Sequence, residues 1–168
     1  AQDLALIHQP IDFIGLNFHN ASIFRAGERG PELVPFHRGY PRTAMRWPIT
    51  PSMMYHCTKF IYERYQLPIY ITENGLSCND KRYLDGKVHD LDRIDFLQRY
   101  LREYKRAGEA GVDIRGYFHW SLTDNFEWSN GYEERFGLFY VDYESLERHP
   151  KDSAFWYRSV VETNGEQL

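Results

Sequence analysis

Hydrophobic and polar positions along the 168-residue chain change period several times, and the changes mark out its elements. Phe13-Ile14-Gly15-Leu16 is a short apolar stretch that reads as a first strand. The loop behind it, rich in Gly, Pro and Arg, runs to about residue 49. That is long for a plain connector and marks a candidate functional loop. Met54, Cys57, Ile61 and Tyr65 then recur at helical spacing behind Thr50-Pro51, which predicts a helix with Thr50 as N-cap and proline at its first position. Pro68 opens a second strand, Ile69-Tyr70-Ile71-Thr72, nearly continuous in apolar and β-branched residues as in a parallel strand covered on both faces. It stops at Glu73-Asn74-Gly75. After turn signals at Asn79-Asp80 and Asp85-Gly86, Ile94, Leu97, Leu101 and Tyr104 predict a long helix from near Asp92 to Gly108 and Gly111. A third strand, Ile114 to Trp120, leads into a loop over 121–137; Leu138 to Val141 is a short extra strand; Ala154, Tyr157 and Val161, after Pro150, complete a final helix.

Strand, loop and helix alternate three times, the order of βα units around a parallel sheet, so the fold class is α/β. With no repeat, linker or low-complexity segment, the chain is one domain or a piece of one. In a (β/α)₈ TIM barrel the chemistry sits at the C-terminal ends of the strands, and Asn17, Glu73 and Trp120 fall at those ends. Such a barrel needs about 250 residues. Three units are therefore either part of a larger barrel or a smaller open α/β sheet.

Composition narrows the functional classes. Hydrophobic residues make up 42% and aromatic residues 17%, a globular content. The 13 Tyr, 11 Phe and 4 Trp suit a sugar's faces and hydroxyls as well as they suit a core. A net charge of −4 without a basic stripe argues against nucleic acid as a partner. No apolar run reaches the roughly 18 residues of a membrane span, and residues 1–15 lack a basic region followed by an apolar one. The only cysteines are Cys57 and Cys78, so the expectation is a cytoplasmic protein with no membrane partner. Seven scattered His, without i, i+4 pairing, give no metal site.

Two segments carry chemistry. Ile71-Thr72-Glu73-Asn74-Gly75 mounts a carboxylate where a buried strand stops, a rigid seat for a nucleophile; an isolated Glu there is more often a solvated loop residue or a capping acceptor. Trp120 to Tyr132 gathers two Trp, Glu127 and several amides in one loop. Those groups can stack on a pyranose and bond its hydroxyls, or pack the loop by themselves.

Asp12-Phe13-Ile14-Gly15-Leu16-Asn17, Ile71-Thr72-Glu73-Asn74-Gly75, His89-Asp90 with Arg93-Ile94, and Gly116-Tyr117-Phe118 through Phe136-Gly137-Leu138 together resemble glycoside hydrolase family 1, the β-glucosidase family, over essentially the whole chain. The resemblance implies that residues 1–168 are the C-terminal part of a single catalytic domain, holding the sixth to eighth βα units of the barrel. It also implies a retaining double displacement that uses no cofactor, with Glu73 as nucleophile and a second carboxyl roughly 5 Å away. That partner acid comes from the family's Asn-Glu-Pro motif on the fourth strand, and no Asn-Glu pair occurs in this chain. The implied partners are thus a β-glucoside or short β-linked oligosaccharide, as in cellulose degradation, and the N-terminal barrel segment.

By the same resemblance Asn17, Trp120, Glu127, Trp128 and Phe136 contact substrate. Relatives specific for 6-phosphorylated sugars replace the Glu-Trp pair and add a Lys-x-Tyr element; here Glu127-Trp128 is intact and Glu134-Arg135-Phe136 has no Lys. An unphosphorylated glycoside is implied, a glucoside before a galactoside or fucoside. Two departures stand out. Most members have Asn-x-Tyr, with the Tyr bonded to the nucleophile, where this chain has Asn17-Phe18-His19. His19 either donates to Glu73 in that Tyr's stead or is structural. Met45-Arg46-Trp47 has Met and Arg where Gly commonly precedes the Trp. The competing readings are a noncatalytic sugar-binding domain on the same scaffold, and a small nucleotide-binding domain, which would need a Gly-rich phosphate loop that is lacking.

Overall fold

The computed structural model of the chain describes residues 2–168. In chain order the elements are helix α1 (Gln2–Ile7), strands β1 (Ile14–Asn17), β2 (Ile23–Gly27) and β3 (Gly30–Val34), helix α2 (Met53–Tyr65), strand β4 (Ile69–Asn74), helix α3 (Leu91–Glu109), strands β5 (Ile114–His119), β6 (Phe139–Val141) and β7 (Arg148–Pro150), and helix α4 (Asp152–Glu162). The predicted units appear as three parallel strands in the order β1-β4-β5, with β4 central and a helix between each consecutive pair. Leu16 pairs with Ile71 and Asn17 with Glu73, while Asn74 pairs with His119, so the three strands end level.

One face of this sheet is covered. Ile69 and Ile71 are fully buried beneath the two helices, a burial worth roughly 1.5–3 kcal/mol per side chain. Helix α3 turns Arg93, Phe96, Leu97, Tyr100, Leu101, Tyr104 and Ala107 inward, the i, i+3, i+4 stripe that its apolar spacing predicts. The Tyr104 hydroxyl donates to the carbonyls of Ile69 (3.1 Å) and Gly116 (3.0 Å), pinning α3 across two strands. The other face is open. Thr72 is exposed, and Phe13 and Phe118 are 51% and 58% exposed. The second strand, expected to be covered on both faces, is covered on one among the described residues. No residue of α1 is buried, and among the described residues the outer edges of β1 and β5 have no strand beside them.

Three local expectations change. The long loop before residue 49 contains the antiparallel hairpin β2–β3, whose short strands are exposed and so show no buried alternation. Helix α2 starts at Met53, and Thr50 is a tie between elements: its N–H donates to the Tyr100 hydroxyl (2.7 Å) and its Oγ1 accepts from Ala21 N–H (2.9 Å). Strand β7, paired with β6, escapes the pattern because three residues are too few to show a period.

Candidate active site

Glu73 and Asn74 close the central strand and divide two tasks. Asn74 is fully buried: its Nδ2 donates to the Phe18 carbonyl beyond β1 (2.7 Å), and its Oδ1 accepts from the Tyr117 hydroxyl of β5 (2.6 Å). It braces three strand ends with one side chain. Glu73, by contrast, keeps 31% of its side chain exposed. Its backbone carbonyl accepts from Phe18 N–H (2.8 Å). Gly75 follows because nothing larger fits: a Cβ there would lie 1.8 Å from the Trp120 carbonyl oxygen. That close approach seats Trp120, whose N–H donates to the Asn74 carbonyl (2.9 Å); the Trp120-Ser121 peptide is cis. Beside Glu73, Asn17 Oδ1 accepts from the Thr72 hydroxyl (2.7 Å), which holds the amide at the end of β1.

His19 reaches the same point. Its Nε2 lies 3.5 Å from Glu73 Oε2, and its Nδ1 lies 3.3 Å from the Gly75 carbonyl. The ring packs near Trp47 (centroids 5.3 Å apart) and edge-on to Phe136 (6.3 Å). Phe136, expected among the substrate contacts, is 2% exposed; its ring lies beside those of His19 and Trp47, and its carbonyl accepts from Ser121 N–H (3.3 Å). Glu127 and Trp128 stand apart, in a loop turn closed by Glu127 N–H to the Gly131 carbonyl (2.6 Å). Trp128 is 81% exposed. Among the described residues, no hydrogen bond joins the side chain of either to Asn17, His19 or Glu73.

Beneath the loops lies a buried ionic lattice that sequence reasoning missed. Arg93 binds Asp90 and Asp80 (2.7 Å); Lys151 binds Asp80 (2.6 Å) and Asp124 (2.8 Å); Arg135 binds Asp124 (2.6 Å). Three cations balance three carboxylates, as burial of charge demands. Asp124 also accepts from Gly137 N–H (2.9 Å) and Val141 N–H (3.3 Å), and Asp90 from Ser153 N–H (2.8 Å). The lattice joins the loop after Glu73, the start of α3, the loop that carries Glu127 and the entry to α4. Burial alone would raise the Asp80 carboxyl, but Arg93 and Lys151 outweigh it and hold it below its ordinary value. At Asp90 burial prevails over Arg93 and Ser153, and the carboxyl lies above its ordinary value. Burial pushes the neighbouring Cys78 thiol up to about 12, which leaves it unreactive. The signals were present in His89-Asp90, Arg93 and Lys151, but nothing local pairs residues 71 positions apart.

A cleft of about 930 Å³ opens between the 41–49 and 76–92 segments, lined by Arg42, Ser77, Tyr83 and His89 among others, and Glu73 does not line it. A cavity around Glu73 would need walls beyond the unpaired edges of β1 and β5. No group of three His, Cys, Asp or Glu side chains among the described residues is arranged to hold a metal ion.

Parallel βα units with a carboxylate, amides and an indole at the carboxyl ends of their strands define a segment of a barrel-type α/β fold. The chain belongs to glycosyl hydrolase family 1, whose family model matches residues 1–166. It is 44% identical to beta-glucosidase A of Thermotoga maritima over 165 residues, 97% of this chain and 37% of that protein. It is 44% identical to the bifunctional beta-D-glucosidase/beta-D-fucosidase of Bifidobacterium breve, over 95% of this chain and 39% of that protein. The structure of the Thermotoga maritima beta-glucosidase in complex with glucoimidazole matches it with a TM-score of 0.88 at 42% identity, over 98% of this chain and 37% of that one. The chain thus spans less than two fifths of the length of these relatives.

Proposed function

We propose that the complete protein is a retaining β-glycosidase that releases terminal non-reducing β-D-glucosyl residues, and that this chain supplies the sixth to eighth βα units of its barrel. The observation that carries this reading is Glu73, a partly exposed carboxylate on the braced end of a central parallel strand, between Asn17 and Trp120. A Glu73 oxygen attacks the anomeric carbon as the bond to the aglycone oxygen breaks. Water then hydrolyses the glycosyl ester, with net retention. The proton for the leaving oxygen comes from a carboxyl on strands outside this chain. Those strands also wall the cavity and cover the open edges of β1 and β5, so the remaining barrel is the partner of this chain.

A glucoside is supported by the names of the relatives and by the sugar-mimicking ligand of the similar structure. Trp120 forms a platform for the ring, while Glu127 and Trp128 take its hydroxyls. Arg135 is not free to hold a sugar phosphate: it is bonded to Asp124 and lies over the rings of Tyr140 and Tyr143. In the complete protein, Glu73→Gln is expected to lower turnover of an aryl β-glucoside by at least about 10³-fold while sugar binding stays measurable. Undiminished turnover would remove Glu73 from the role.

A further inference from the structure

His19 faces two acceptors and no donor. The Gly75 carbonyl lies 3.3 Å from Nδ1 and the Glu73 carboxylate 3.5 Å from Nε2. A carbonyl oxygen and an ionised carboxylate can only accept, so each contact needs a proton on the ring nitrogen that faces it. A neutral imidazole carries one proton and satisfies one of the two. The doubly protonated ring satisfies both. The Glu73 contact is also long for a hydrogen bond and falls at ion-pair distance, where a charge on the ring counts for more than the direction of a single N–H.

Other surroundings do not supply that charge. Trp47 and Phe136, packed against the ring from two loops, have no titratable group. From α3, the Tyr100 hydroxyl reaches only the His19 backbone carbonyl (3.4 Å). Glu73 on β4 is the one charged side chain of the described residues in contact with the imidazole.

We infer that His19 is a proton-dependent positioning residue: with both ring nitrogens protonated it holds the Glu73 carboxylate in its attacking orientation, and with one proton, for which the Gly75 carbonyl competes, it holds it less firmly. The inference rests on Glu73 being the nucleophile. It links formation of the glycosyl ester to a proton that is never transferred to the leaving group.

The test uses the complete protein and 2,4-dinitrophenyl 2-deoxy-2-fluoro-β-glucoside. With this probe a Glu73 oxygen bonds to the anomeric carbon while the bond to the dinitrophenolate oxygen breaks and its electron pair departs with that oxygen. Dinitrophenolate is so weak a base that it leaves unprotonated, so the proton state of the acid partner is not needed for departure. Labelling of Glu73 is followed by peptide mass and by dinitrophenolate release between pH 5 and 9. The native rate is expected to fall about tenfold from its plateau toward alkaline pH, the worth of one charged hydrogen bond. His19→Tyr, whose hydroxyl stays protonated throughout, should label at a rate without that fall. His19→Phe should be slow and equally flat. A native profile without the fall, a rate that rises toward alkaline pH, or the same fall persisting in His19→Tyr would each overturn the inference while label on Glu73 upholds the nucleophile. A purely structural His19 would change the rate equally at every pH, which also overturns it. Absence of label on Glu73 at every pH overturns the nucleophile assignment and this inference together.

Discussion

On the helix-covered face of the sheet, Ile69 and Ile71 are sealed under α2 and α3, and the buried charges beneath the loops are paired three against three. On the opposite face Phe13, Thr72 and Phe118 stand exposed, and among the described residues the strand edges beside them carry no partner. The two faces share the same strands, so the difference lies in what surrounds them. A helix between successive strands covers the outer face from within the chain, whereas the inner face of a barrel is covered only by strands across the closed ring. The chain therefore carries the supports of its candidate site but not the walls of a pocket. Asn74, Gly75 and the Asp124 junction are complete in themselves. Trp128, by contrast, is 81% exposed.

The contrast can be broken first at the ionic junction. Asp124→Ala would leave Lys151 and Arg135 short of a carboxylate and strip acceptors from Gly137 and Val141. The expected loss is about 3–5 kcal/mol in urea unfolding of the complete protein. A loss below about 1 kcal/mol would place the junction with ordinary surface pairs.

A smaller effect sharpens the contrast through pH. Burial, with the Arg93 charge adding to it, pushes His119 down to about 3, and its Nε2–H donates to the Phe136 carbonyl (3.2 Å). The ring is thus neutral when folded, whereas histidine in an unfolded chain takes up a proton near pH 6.5. Stability from this group is fully present above about pH 6.5 and drains away as pH falls toward 3, with a slope approaching 1.4 kcal/mol per pH unit. His119→Asn, which keeps a donor but does not titrate, should flatten the stability profile between pH 6.5 and 4. An unchanged slope would show that the ring is wetter than its surroundings indicate.

The smallest effect belongs to the open side. Trp128→Ala should change unfolding free energy by no more than about 0.5 kcal/mol, since the indole is 81% exposed, while KM for an aryl β-glucoside rises several-fold. A large loss of stability with KM unchanged would make Trp128 a packing residue of the complete barrel.

Much of the fold was legible along the chain. The stripe of α3 lies in Phe96, Leu97, Tyr100 and Tyr104, and the central strand in Ile69-Tyr70-Ile71, because burial on one side of a regular element leaves a period in its sequence. The hairpin β2–β3 was not legible because neither of its faces is buried. At the site, Glu73 was marked by its position where a buried strand stops, whereas the brace made by Asn74 was not legible. That role depends on which way a side chain turns at the end of a strand, and there the regular period no longer decides.

The amino-acid order by itself determined the alternation of strand and helix and the membership of Asn17, Glu73 and Trp120 in one rim. Only the tertiary structure decided that Asp80 meets both Arg93 and Lys151, that one Asn74 amide braces three strand ends, and that His19 sits between two acceptors. Periodicity encodes which face of an element is apolar, but the pairing of polar groups dozens of positions apart is set by how the elements pack.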